Sequence, residues 1–169
     1  RATTLYSRVV PRVGGETLVA NQLPAYDDLP EAMKRRIDPM LAIHHYGNRN
    51  DVDEASRTAA SLLSAAQKAR MPVITHRIAR PHPVTGRKAL YANVGHTVRF
   101  RDMTEAESAP LLEFLFRHQV RPELTCRFRW EVGSLAFWDN RCAQHNPIND
   151  YHGFRRLMHR ITLAGDTPR

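Results

Sequence analysis

Residues 124–131 place the first constraint on the fold. Cys126, Phe128 and Trp130 alternate there with Thr125, Arg127 and Arg129. An apolar residue at every second position marks a β-strand with one covered face and one wet face. Such a strand needs a second layer to cover it, so the chain must supply more strands or a helix that packs on a sheet. Residues 3–10, 16–21, 72–78, 88–93, 135–138 and 158–163 read as further strands, punctuated by turns at Pro11-Arg12-Val13-Gly14-Gly15 and Thr85-Gly86-Arg87. Helices are fewer. Residues 26–40 read as one, with Asp28 as N-cap candidate, Pro30 at an early position and Pro39 at its end. Residues 54–70 have a helical composition. Thr104, with Glu107 in capping-box register, opens a third helix that runs to about His118 and carries Leu111, Leu112, Leu115 and Phe116 on one face. Residues 44–53 read as irregular, with His44 and His45 in a loop. The expectation is a single domain over residues 1–169, mainly β with helical insertions, built as a sandwich or barrel.

Composition narrows the function. No apolar run is long enough to cross a bilayer and no secretory leader opens the sequence. Cys126 and Cys142 form no CxxC pair and read as free thiols of a reducing, cytoplasmic setting. The net charge of +8 raises the question of nucleic acid. The basic residues are scattered, however, and no stripe of aromatics interleaved with Arg and Lys runs through them. Neither nucleic acid nor membrane is an expected partner.

The residues that carry chemistry lie late in the chain. Trp138-Asp139-Asn140-Arg141-Cys142-Ala143-Gln144-His145 reads as a strand running into a polar turn that delivers a histidine, and Arg156 and Arg160 follow on a strand. A neutral imidazole can bind Fe(II). A guanidinium can hold a carboxylate by two parallel hydrogen bonds. Positions four apart on an alternating strand share a face, so Arg156 and Arg160 can line one pocket. His159 then faces the other way. Taken alone, each of these residues has an ordinary structural reading: a packed histidine, a solvated arginine face, and Trp130 and Trp138 as core aromatics.

Taken together they resemble the TauD/TfdA family of Fe(II)/2-oxoglutarate dioxygenases. The matching stretches are Arg80-Pro81-His82-Pro83-Val84-Thr85-Gly86-Arg87-Lys88-Ala89-Leu90-Tyr91, Arg127-Phe128-Arg129-Trp130, Trp138-Asp139-Asn140-Arg141 leading to Gln144-His145, and Arg155-Arg156-Leu157-Met158-His159-Arg160, with Gly14-Gly15-Glu16-Thr17-Leu18 near the start. The resemblance implies a double-stranded β-helix (jelly-roll), incomplete at the N-terminus. It implies His145 as the distal metal ligand, Arg156 and Thr17 as partners of the far carboxylate of 2-oxoglutarate, and Arg160 as the residue that meets the anionic head of the substrate. It further implies Fe(II), 2-oxoglutarate and O2 as reagents, succinate and CO2 as co-products, and a dimer or tetramer. His96 and Asn50 stand where taurine-type enzymes carry aromatics. His96 can pair with an anion or fill space, and the pocket is expected to be more polar than the taurine pattern. The substrate is expected to be a small sulfonate, with an alkyl sulfate ester or an aryloxyalkanoate as the alternatives. The family's other two ligands come as His-x-Asp or His-x-Glu, and none of the nine histidines has an acid two positions on. The expectation is that this motif lies upstream of Arg1, that this stretch alone turns nothing over, and that a complete protein lacking it would be a non-catalytic binding jelly-roll.

Overall fold

The structure is a computed structural model and describes residues 1–45, 64, 66 and 70–165. Its eleven described strands fall into three three-stranded sheets and one hairpin, all antiparallel where they pair. The first sheet has the order β11 (Leu157–Leu163), β1 (Ala2–Val9), β9 (Leu135–Asp139). The second has the order β10 (Ala143–Pro147), β2 (Thr17–Asn21), β8 (Thr125–Phe128). Each sheet thus joins strands from both ends of the sequence, and the intervening residues form an insertion between β2 and β8.

The insertion begins with two short helices, α1 (Gln22–Asp27) and α2 (Glu31–Ile37). The sequence suggested one helix over residues 26–40. Pro30 explains the break, because a proline drives the residue before it out of the α region, and Asp28 caps the end of α1 instead of the start of a helix. A sheet of order β4 (Val73–Arg77), β3 (Leu41–His45), β7 (Thr97–Phe100) follows, with the hairpin of β5 (Ala79–Pro81) and β6 (Lys88–Leu90) beside it. The reading of His44 and His45 as loop residues is therefore corrected: both lie in β3, whose short apolar stretch carries no clear alternation. Helix α3 (Glu105–His118) starts as expected. Thr104 Oγ1 accepts from the Glu107 amide at 3.2 Å, and Glu107 Oε2 accepts from the Thr104 amide at 2.8 Å. Leu111, Leu112 and Leu115 are buried, and Phe116 packs against the core. A single 3-10 turn (Pro122–Leu124) leads into β8. Asn50 and nearly all of the expected helix over residues 54–70 lie outside the described residues.

The register fixes which residues share a face. In the first sheet, Trp138 lies opposite Thr3, Arg160 and Ala136 opposite Leu5, and Met158 opposite Ser7. These form one face; Tyr6, Leu135, Phe137, His159 and Ile161 form the other. In the second sheet, His145 lies opposite Val19 and shares a face with Thr17 and Phe128. The Trp138 and His145 rings are in contact, with centroids 4.8 Å apart. The two sheets therefore turn these faces toward each other.

Candidate functional site

Arg156 is the most constrained of the expected site residues. It stands one residue ahead of β11, beyond an irregularity in the pairing with β1 between Ser7 and Val9. The simple four-residue alternation with Arg160 is therefore interrupted, and other contacts aim Arg156. Its Nε donates to Gly15 O at 3.1 Å, and its guanidinium carbon lies 5.8 Å from the Trp130 ring centroid and 5.7 Å from that of Tyr151. Gly15 has φ +72° and its amide donates to Asp150 Oδ1 at 2.7 Å. A β-carbon there would come within 3.1 Å of Arg156 Cδ and 3.0 Å of Pro11 Cγ, so this turn needs glycine for space as well as for backbone freedom. With Nε committed, Arg156 Nη2 is buried and has no hydrogen-bond partner among the described residues. A buried guanidinium nitrogen left open in this way is suited to an anionic acceptor.

Thr17 begins β2 two residues after Gly15 and is 4% exposed. Its hydroxyl oxygen accepts from Trp130 Nε1 at 3.0 Å. Its own proton therefore remains to be donated to another acceptor. Trp130, read from sequence as a core aromatic, is indeed buried, but it also flanks Arg156 and orients Thr17.

His145 sits mid-strand in β10, a strand that the sequence reading took for a turn. Much of its side chain reaches solvent, yet Trp138 covers the ring. Desolvation, and after it the positive charge of Arg160, holds the imidazole below its ordinary range. The neutral ring is the form that binds a metal. The register puts exposed Arg160 on the same face as Trp138, which packs on His145, while His159 pairs with Tyr6 on the outer face as expected. Trp138 departs from its reading as a core residue. It is half-buried, it packs on His145, and its Nε1 has no partner among the described residues. His96 lies in the turn between β6 (Lys88–Leu90) and β7 (Thr97–Phe100). Its amide donates to Asn93 O at 3.0 Å, and its carbonyl accepts from His45 N at 2.8 Å.

The comparisons with known proteins bear directly on this arrangement. Residues 1–162 match the family described as taurine catabolism dioxygenase TauD, TfdA family. The chain belongs to the TauD/TfdA family. It is 36% identical to an alpha-ketoglutarate-dependent sulfate ester dioxygenase of Pseudomonas putida, over 99% of this chain and 56% of that one. It is 31% identical to an alpha-ketoglutarate-dependent 2,4-dichlorophenoxyacetate dioxygenase of Burkholderia sp. (strain RASC), over 98% of this chain and 54% of the relative. A crystal structure of a taurine dioxygenase from Burkholderia xenovorans superposes with a TM-score of 0.81 at 32% identity, covering 99% of this chain and 53% of that one. The chain thus spans about half the length of the relatives it matches.

The residues of this TauD/TfdA chain fit 2-oxoglutarate at one end and a metal in part. The open Nη2 of Arg156 and the donatable proton of Thr17 suit a carboxylate. His145 offers one neutral nitrogen, and no Asp or Glu stands two positions after any histidine of the chain. A second group of potential ligands, His82, Asp139 and Cys142, is occupied otherwise. Asp139 accepts from the Arg141 amide and Nε, each at 2.8 Å, and lies 3.1 Å from His82 Nε2. The hydrogen bonds from Arg141 hold its carboxyl far below the usual range, whereas burial pushes the Cys142 thiol up. This cluster ties the β5–β6 hairpin to the β9–β10 turn. The cysteines are free thiols, and no described helix is long and apolar enough to cross a membrane.

Proposed function

We propose that the complete protein is an Fe(II)/2-oxoglutarate-dependent dioxygenase of jelly-roll fold. It hydroxylates the carbon next to the anionic head of a small substrate, a sulfonate or sulfate ester, with release of succinate and CO2. The observation that carries this reading is the cradle of Arg156. Its guanidinium is flanked by two aromatic rings and fixed through Nε to Gly15, and it keeps a buried nitrogen open beside the Thr17 segment. Arg156 and Thr17 bind and orient the far carboxylate of 2-oxoglutarate. His145 supplies one metal ligand, and the other two come from sequence outside residues 1–169. Iron with 2-oxoglutarate supplies the activation of O2. The protein holds the substrate C–H bond in place and keeps water away from it.

Arg160 receives the substrate's anionic head, and its place on the face of Trp138, which packs on His145, supports a position beside the metal site. His96, in the turn between β6 and β7, is assigned to the substrate side, where it would add polar character. The identity to a sulfate ester dioxygenase supports that substrate class. The likeness to a 2,4-dichlorophenoxyacetate enzyme supports an aryloxyalkanoate as the alternative, because a guanidinium serves either anion. A dimer or tetramer is the expected assembly.

The decisive variant is Arg156→Ala in the complete protein. Calorimetry with Mn(II) and 2-oxoglutarate should show affinity for the diacid falling roughly 100-fold or more, since two charge-assisted bonds of about 1.5–3 kcal/mol each are lost. Arg156→Lys should not restore it, because an ammonium cannot reproduce the planar fork. Wild-type affinity in Arg156→Ala would remove the basis for the reading. Succinate release with alkyl sulfates, sulfonates and phenoxyacetates then ranks the substrates.

A further inference from the structure

The back of β10 carries a set of bonds with no part in holding the co-substrate. Strand alternation turns Gln144 away from the face of His145. Its side-chain amide is fully engaged: Nε2 donates to Ala92 O at 2.6 Å and to Gln119 Oε1 at 3.0 Å, and Oε1 accepts from Asn93 Nδ2 at 3.2 Å. The orientation is unambiguous, because a backbone carbonyl can only accept. Gln119, at the end of α3, is 2% exposed. Asn93 in turn builds the turn that presents His96. Its Oδ1 accepts from Gly95 N at 2.8 Å, and its carbonyl accepts from the amides of His96 at 3.0 Å and Thr97 at 2.8 Å. Its own amide donates to Thr97 Oγ1 at 2.8 Å.

β10 pairs with β2, with His145 opposite Val19. A metal ligand must be held within about 0.5 Å of its working position. Gln144 supplies restraint from behind, and it does so through the same asparagine that shapes the His96 turn.

We infer that Gln144 is a positioning residue that joins the His96 turn to the strand of His145 and so sets the geometry between the substrate side of the pocket and the metal side. The inference rests on the roles given to His145 and His96 above. Its consequence is that changes at residue 93, far from the metal, alter metal affinity.

The test uses the complete protein with Mn(II) and N-oxalylglycine, a redox-silent metal and an unreactive analogue of the co-substrate. Metal affinity is read by electron paramagnetic resonance. Gln144→Met should weaken Mn(II) binding about tenfold, the scale seen when a support behind a ligand is lost. Asn93→Asp keeps the acceptor for Gly95 and removes the donor to Gln144, and it should act in the same direction. The double variant should be little worse than the stronger single one, the signature of one shared link. Ile37→Val, in the insertion core and 0% exposed, serves as the control for general destabilisation: it should lower Tm but leave Mn(II) affinity unchanged. Wild-type affinity in Gln144→Met, or an equal loss in Ile37→Val, overturns the inference. A wild-type protein that takes up no Mn(II) with N-oxalylglycine overturns the reading of the metal site itself, so the two failures are distinguished.

Discussion

The insertion between β2 and β8 and the two sheets that flank it treat burial in opposite ways. Every residue of the buried apolar cluster, from Ala25 to Leu124, belongs to the insertion. Ile37, Ala42, Ile78 and Leu115 are 0% exposed there. In the flanking sheets the most buried side chains are largely polar, Ser7, Thr3 and Thr17, whereas Leu135, Phe137 and Ile161 are more than 60% exposed. The insertion satisfies its own hydrophobic faces. The sheets leave open an outer face of aromatic and aliphatic residues, whereas the inner faces that they turn toward each other bury Thr3, Ser7 and Thr17 and carry His145, Arg160 and Trp138. The candidate site thus lies between polar inner faces, and Gln144 and His82 link those sheets to the apolar core of the insertion by hydrogen bonds.

The largest test of that contrast is Leu115→Ala in α3. A fully buried leucine cut back to alanine leaves a cavity in a closely packed cluster and should cost about 2–5 kcal/mol. Urea denaturation of this chain should show the midpoint falling with the slope unchanged. A loss below about 0.5 kcal/mol, inside the ordinary range for surface positions, would mean that the insertion is not the centre of stability.

How much of this was legible in the sequence divides along the same line. Strands β1, β2, β8, β9 and β11 were readable because alternation, β-branched residues and Gly or Pro punctuation mark them. Helix α3 was readable from its capping box. β3 and β10 were not, since Leu41-Ala42-Ile43-His44-His45 and Ala143-Gln144-His145-Asn146-Pro147 have no clean period of two and are strands because of what they pair with. The arginines and His145 stood out through their motif. The work of Trp130, Tyr151 and Gly15 around Arg156 did not, because it depends on contacts between residues far apart in sequence. The nearest signal was that Gly14-Gly15 and the Arg155-Arg156 pair belong to one family pattern, which makes their neighbourhood a reasonable thing to seek.

A smaller effect probes the insertion by pH. His44 lies inside the insertion with its Nδ1 3.1 Å from Thr97 Oγ1, beside His76 and Tyr91. Burial first, then the charges of His76, His96 and Arg80, lowers its pKa to about 4. In the unfolded chain a histidine titrates near 6.5. Between about 6.5 and about 4 the unfolded state binds a proton that the folded state does not, so stability falls as pH falls through that window and changes little on either side of it. His76 is also lowered by burial and adds in the same direction. His44→Gln, which retains a group able to meet Thr97, should therefore reduce but not abolish the slope of stability against pH between 7 and 4.5. Equal slopes in the two proteins would place the acid sensitivity outside the insertion core.

The smallest effect is expected on the outer sheet face. Phe137 is 64% exposed and lies opposite Thr4 in the register with β1. Replacing it with threonine keeps a residue suited to a pleated strand and removes an aromatic ring that this chain leaves mostly in water. The change in stability should stay within about 0.5 kcal/mol, measured by the same urea titration as for Leu115→Ala. The two substitutions each remove a large apolar side chain, so chemistry alone would rank them together. Only the difference in cover separates them, because the cost of truncation comes from contacts and cavity and not from the identity of the residue. A cost for Phe137→Thr that approaches that of Leu115→Ala would show that this face is packed by the chain's own residues, and the contrast between a filled insertion and unfilled sheets would no longer hold.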